Sequence, residues 1–116
     1  MSLDRTDAQW KITRSFARFA LQVPVSAMMS ESASIPVSSG RTRDISLGGL
    51  GAFLEPPVAV GQRLWVEFRL PPASAAMRIL GKVQHDYGGR FGFQFLNITP
   101  EQQDEIRQAC QGLANV

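Results

Sequence analysis

Phe91, Phe93 and Phe95 recur at every second position, which places three phenylalanines on one face of a strand. The same period of two runs through Leu64, Val66, Phe68 and Leu70, and again through Met77, Ile79, Gly81 and Val83. Alternation of this kind marks strands with one side in a core and the other toward solvent. Leu21, Val23, Val25 and Ala27 repeat it around Pro24, which implies an edge position or a bulge because proline cannot donate to a ladder. Residues 42–47 and 50–54 read as two further short strands, the latter ended by Glu55, Pro56 and Pro57. Pro71 and Pro72 end the strand through Leu70, and Tyr87, Gly88, Gly89 and Arg90 form a turn. Residues 28–40, rich in Ser and Ala and containing Pro36, read as a weak hairpin or loop.

One segment follows a helical period. Thr99 is an N-cap, Pro100 suits the first helical position and Gln102 completes a capping box. Ile106, Ala109, Cys110 and Leu113 then form an apolar stripe. Cys110 therefore reads as a small core residue in preference to a reactive thiol. Six short strands and a terminal helix predict a mainly β chain, a small antiparallel barrel with the helix packed against it.

A chain of 116 residues makes one domain, able to bury about two-thirds of its unfolded surface. Its net charge of +2 is mild, so a solvated surface is expected in place of broad DNA binding. No apolar run is long enough to span a bilayer, and the first residues lack the pattern of a signal peptide. The single cysteine fits a reducing compartment, and a cytoplasmic location is expected. One His, one Cys and scattered carboxylates supply neither a metal cluster nor a nucleophile–base pair, so neither an enzyme, a metal nor a cofactor is expected.

The chemistry concentrates in two runs. Arg14 and Arg18 are four apart, a separation that puts them on the same side of a helix or a strand. Further on come Asp44, Ser46, Gly48 and Gly49. Guanidinium forks suit phosphate oxygens and the O6/N7 edge of guanine. A carboxylate accepts from the guanine N1–H and N2–H₂, a hydroxyl adds a rotatable donor, and glycine allows close backbone approach. In a strand Asp44 and Ser46 would share one face, with Ile45 and Leu47 on the other. Bland readings stand beside these. Asp44 also suits a strand-end cap or a partner for Arg43, Ser46 can satisfy neighbouring backbone, and Gly48, Gly49 and Gly51 can serve a tight turn.

Arg-x-x-x-Arg followed by Asp-x-Ser-x-x-Gly resembles the motif pair of the PilZ domain family, whose members bind cyclic di-GMP. The run from Gly92 to Phe95, then Asn97 to Gln103, is similar to that family's last barrel strand and closing helix. The resemblance runs from about residue 10 to the C-terminus. It implies a six-stranded antiparallel, split β-barrel over residues 19–116, with residues 1–18 as a flexible arm over its outer surface. It implies cyclic di-GMP as ligand, held by Arg14, Arg18, Asp44, Ser46 and Gly49, with Thr13, Gly48 and His85 as further candidates. His85 stands where family members often carry an aromatic near the guanine; it reads more readily as an ordinary exposed or packed histidine. Trp10 would anchor the arm, cover a base or pack on the barrel. Ligand binding would order the arm and alter an exposed surface read by a downstream protein or linked domain. Two alternatives remain: a PilZ-like adapter that binds only protein, and a small-barrel binder of RNA or single strands using Trp65.

Overall fold

The computed structural model describes residues 17–72 and 75–116. Among these residues seven strands and one helix follow in order: β1 (Phe19–Ala20), β2 (Pro24–Met29), β3 (Ser32–Ile45), β4 (Gly49–Glu55), β5 (Arg63–Phe68), β6 (Met77–Tyr87), β7 (Arg90–Asn97) and α1 (Pro100–Cys110). The antiparallel order β3-β2-β5-β6-β7-β4 closes on itself through β3–β4 pairing. The result is a closed six-stranded barrel, with β1 added beside the end of β3. Closure removes the unpaired strand edges that an open sheet of this size would expose.

The period-two pattern is borne out in the core. Leu64, Val66 and Phe68 of β5, Met77, Ile79 and Val83 of β6, and Phe91, Phe93 and Phe95 of β7 all point inward. Phe91, Ile79, Val66 and Leu50 are fully buried. At about 25 cal/mol per Å² of apolar surface, each such side chain contributes roughly 1.5–3 kcal/mol of transfer free energy. The β6–β7 hairpin turns on Gly88 and Gly89, at φ 64° and 94°, a region that L side chains rarely adopt.

The stretch 28–40 is mostly strand. β2 ends at Met29, residues 30 and 31 turn, and β3 begins at Ser32, ten residues before the strand expected from sequence. Its pairing with β2 is irregular between Ala27 and Met29, so no clean alternation shows in the sequence. Pro24 also differs from expectation. It is the first residue of β2, an interior strand, and pairs only with Arg41; a first position needs no ladder donor there. At the other end of β3 the strand stops at Ile45, leaving Ser46 and Leu47 in the turn to β4.

Thr99 caps α1 as expected. Its hydroxyl accepts from the Gln102 N–H at 3.1 Å, and the Gln102 side chain accepts from the Thr99 N–H at 3.0 Å. Ile106 and Cys110 enter the core, with Ala109 and Leu113 packed at its margin beside Leu47 and Phe19. The helix therefore lies against the barrel end that carries the β3–β4 turn. No helix among the described residues is long and apolar enough to cross a membrane.

Candidate functional site

Asp44 is the centre of the charged cluster. Its carboxylate is almost wholly buried, yet each oxygen takes a different arginine. Arg18 donates from Nη1 to Oδ1 at 2.7 Å, and Arg43 donates from Nη1 to Oδ2 at 2.9 Å. Both distances are those of charge-assisted hydrogen bonds. The guanidiniums are about half exposed, 46% and 49%, so water screens each pair and its net worth is about 1 kcal/mol or less.

The local backbone explains this arrangement. β1 lies beside β3 with Ala20 opposite Asp44, which delivers Arg18 to the carboxylate. The β3–β4 register slips between Thr42 and Asp44, so Arg43 has no partner in that ladder. Asp44 then faces Gly51 of β4, whose Cα leaves room for it; a Cβ there would stand 3.0 Å from Oδ1.

The glycine row continues. Gly51 pairs with Gly92 of β7, and Gly92 pairs with His85 of β6. The His85 ring lies over Gly92 where a Cβ would be. It stacks on Tyr87 with ring centroids 4.6 Å apart, and the Arg90 guanidinium stands 5.2 Å from the Tyr87 centroid. Among the described residues, His85 Nδ1 is the buried side-chain polar atom that has no hydrogen-bond partner. On this outer face Gly51 and Gly92 contribute no side chains, and the Asp44 carboxylate and the His85 ring lie over them. A carboxylate with two arginines flanks one end of this row, and stacked aromatic rings flank the other.

Ser46 and the glycines after it have a structural occupation. The Ser46 N–H donates to the Gly49 carbonyl at 2.9 Å, and its hydroxyl accepts from the Gly48 N–H at 3.1 Å. Only 3% of Ser46 is exposed, and it stands one residue past the end of β3 at the entry to the turn, not within the strand with Asp44 as expected. A Cβ on Gly49 would overlap the Phe93 carbonyl of β7, so glycine at this position lets β4 and β7 approach. Gly48 accepts from the Phe95 N–H through its carbonyl at 2.9 Å.

The structure therefore brings Arg18 and Asp44 together, joins them by a glycine row to His85, and sets Ser46, Gly48 and Gly49 in the adjoining turn. Arg14 and Thr13, like Trp10, lie outside the described residues. Arg43 is the partner for Asp44 that the sequence offered, and it stands beside Arg18 as a second arginine on that carboxylate. Trp65, on which the single-strand reading rested, is half-buried in a row with Met28 and Leu80, and its Nε1 donates to the Ser30 carbonyl at 3.4 Å. Among the described residues no group of His, Cys, Asp and Glu is arranged to hold a metal ion.

The sequence model of the PilZ domain matches residues 12–112, and the chain belongs to that family. Solved structures share the fold. The PilZ domain of CeSA from a cellulose-synthesizing bacterium is 18% identical at a TM-score of 0.62, over 82% of this chain and 95% of that one. The PilZ domain of YcgR from Escherichia coli, a structure with c-di-GMP, is 18% identical at 0.64, over 84% and 88%. The Bacillus subtilis inhibitor of motility MotI/DgrA is 18% identical at 0.68; 84% of this chain is covered but only 49% of that protein. No curated protein sequence matches the chain.

Proposed function

We propose that this domain is a receptor for cyclic di-GMP, binding it through Arg14, Arg18, Asp44, Ser46 and Gly49, with Thr13, Gly48 and His85 contributing. The observation that carries the reading is the Asp44 carboxylate, buried yet ringed by guanidiniums beside a glycine-floored strip, in a chain of the PilZ family. The arginines supply donors for phosphate, and Asp44 supplies the acceptor that a guanine edge requires. His85 and Tyr87 offer flat faces to a base. The ligand bridges residues 1–18 to the barrel, and the surface it creates is read by a downstream protein or a linked domain in the cytoplasm.

Calorimetric titration with cyclic di-GMP, with GTP and cyclic di-AMP as controls, tests this. Selective binding at a Kd of about 1 μM or tighter, corresponding to about −8 kcal/mol, is expected for the wild type. Arg18→Ala should remove it. Absence of heat at high micromolar nucleotide would sink the reading and leave a protein-binding adapter.

A further inference from the structure

Arg43 lies in neither arginine position of the motif, yet it shares the motif's carboxylate with Arg18. In an unbroken strand residues 43 and 44 would point to opposite faces of the sheet. The register slip makes Arg43 the extra residue of a bulge, which locally suspends that alternation. A basic side chain that would otherwise aim at the core reaches the outer surface beside Asp44, half exposed.

The two arginines are held differently. The Arg43 carbonyl accepts from the Leu21 N–H at 3.1 Å, its backbone lies inside a long strand, and its guanidinium needs to reach only the next residue. Arg18 comes from a point 26 residues away in sequence and lies just before a strand of two residues; its carbonyl accepts from the Val116 N–H, in the tail after α1 and not in the barrel. Of the two, Arg18 is the partner whose departure disturbs less of the barrel. A carboxylate offers about four lone-pair sites, so Oδ2 can keep Arg43 and still accept from an incoming N–H.

We infer that Arg43 is a positioning residue: it keeps Asp44 in place while Arg18 leaves Oδ1 for the ligand phosphate and the guanine edge takes the position Arg18 vacates. This rests on the cyclic di-GMP reading. It makes the Arg18–Asp44 pair a contact that competes with the ligand and the Arg43–Asp44 pair one that persists.

The test is calorimetry of wild type, Arg43→Gln and Arg43→Lys with cyclic di-GMP and with cyclic di-IMP, which lacks only the 2-amino groups. Arg43→Gln should weaken cyclic di-GMP about tenfold and shrink its preference over cyclic di-IMP, as expected for loss of a charged hydrogen-bond partner. Arg43→Lys should restore most of both. A role confined to stability would lower the melting temperature and leave the preference intact. Arginine side-chain NMR of the wild type should show the Arg18 Nε–H signal moving on titration and that of Arg43 staying. Equal affinity and preference in Arg43→Gln, or an Arg43 signal that moves while that of Arg18 stays, would overturn the inference alone. A wild type that binds neither nucleotide would sink the receptor reading and the inference with it.

Discussion

Asp44 and His85 stand at the two ends of one cross-strand row, with only Gly51 and Gly92 between them. Three strand spacings separate the ends, about 14 Å of surface. Over that distance the two glycines contribute no side chains of their own; the Asp44 carboxylate lies over Gly51 and the His85 ring over Gly92, charge at one end and rings at the other.

Gly92→Ala forces a methyl into the place of the His85 ring. What must yield is a side chain on the surface, so the expected cost is about 1 kcal/mol or less, while His85 leaves its stack with Tyr87. Thermal unfolding and the His85 ring proton shifts check this together. An unmoved ring would show that the barrel had given way instead.

Gly49→Ala meets backbone, not side chain. The Phe93 carbonyl cannot swing aside without parting β4 from β7. A loss of about 2–3 kcal/mol is expected in chemical denaturation, well above that for Gly92→Ala. Near-equal losses would remove the packing explanation for this glycine.

Thr99→Ala deletes the hydroxyl half of the capping box and leaves the Gln102 N–H without its partner. A loss of about 1 kcal/mol is expected, read as a lower denaturant midpoint with an unchanged slope. Because Thr99 is remote in sequence from the Asp44 cluster and caps the far end of α1 from Cys110, ligand affinity should stay as it was.

Burial pushes the Cys110 thiol above its ordinary pKa. The folded protein thus holds the thiol proton more tightly than the unfolded chain. The associated stability is complete below the unfolded-state pKa and is lost as pH rises through the folded-state value. Labelling by a thiol reagent at neutral pH should be slow and should accelerate on adding denaturant. Fast labelling of the native protein would contradict the buried position.

The elements legible in the sequence were those whose partners are regular. Phe91, Phe93 and Phe95 alternate because β7 is flanked by paired strands and filled from one side. Thr99, Pro100 and Gln102 announced α1 through local hydrogen bonds that need no tertiary context. The first part of β3 was not legible, since its pairing slips and its small polar residues carry no alternation. At the site, residue types disclosed Arg18 and Asp44, but a two-residue spacing could not reveal that β3 ends before Ser46. Nor could it reveal the glycine row, because Gly51, Gly92 and His85 meet only when β4, β7 and β6 align.

Arg18 has a second attachment whose consequence lies far from any nucleotide. Its carbonyl accepts from the Val116 N–H at 2.9 Å, the Ala20 N–H donates to the Ala114 carbonyl at 2.8 Å, and Phe19 bridges Asn115 between them. The segment bearing the arginine is therefore buckled to the tail that follows α1. Loosening one side of the buckle frees the other, so the amide hydrogens of Ala20 and Val116 should exchange with solvent as a pair, and a label near residue 116 would sense the release of Arg18.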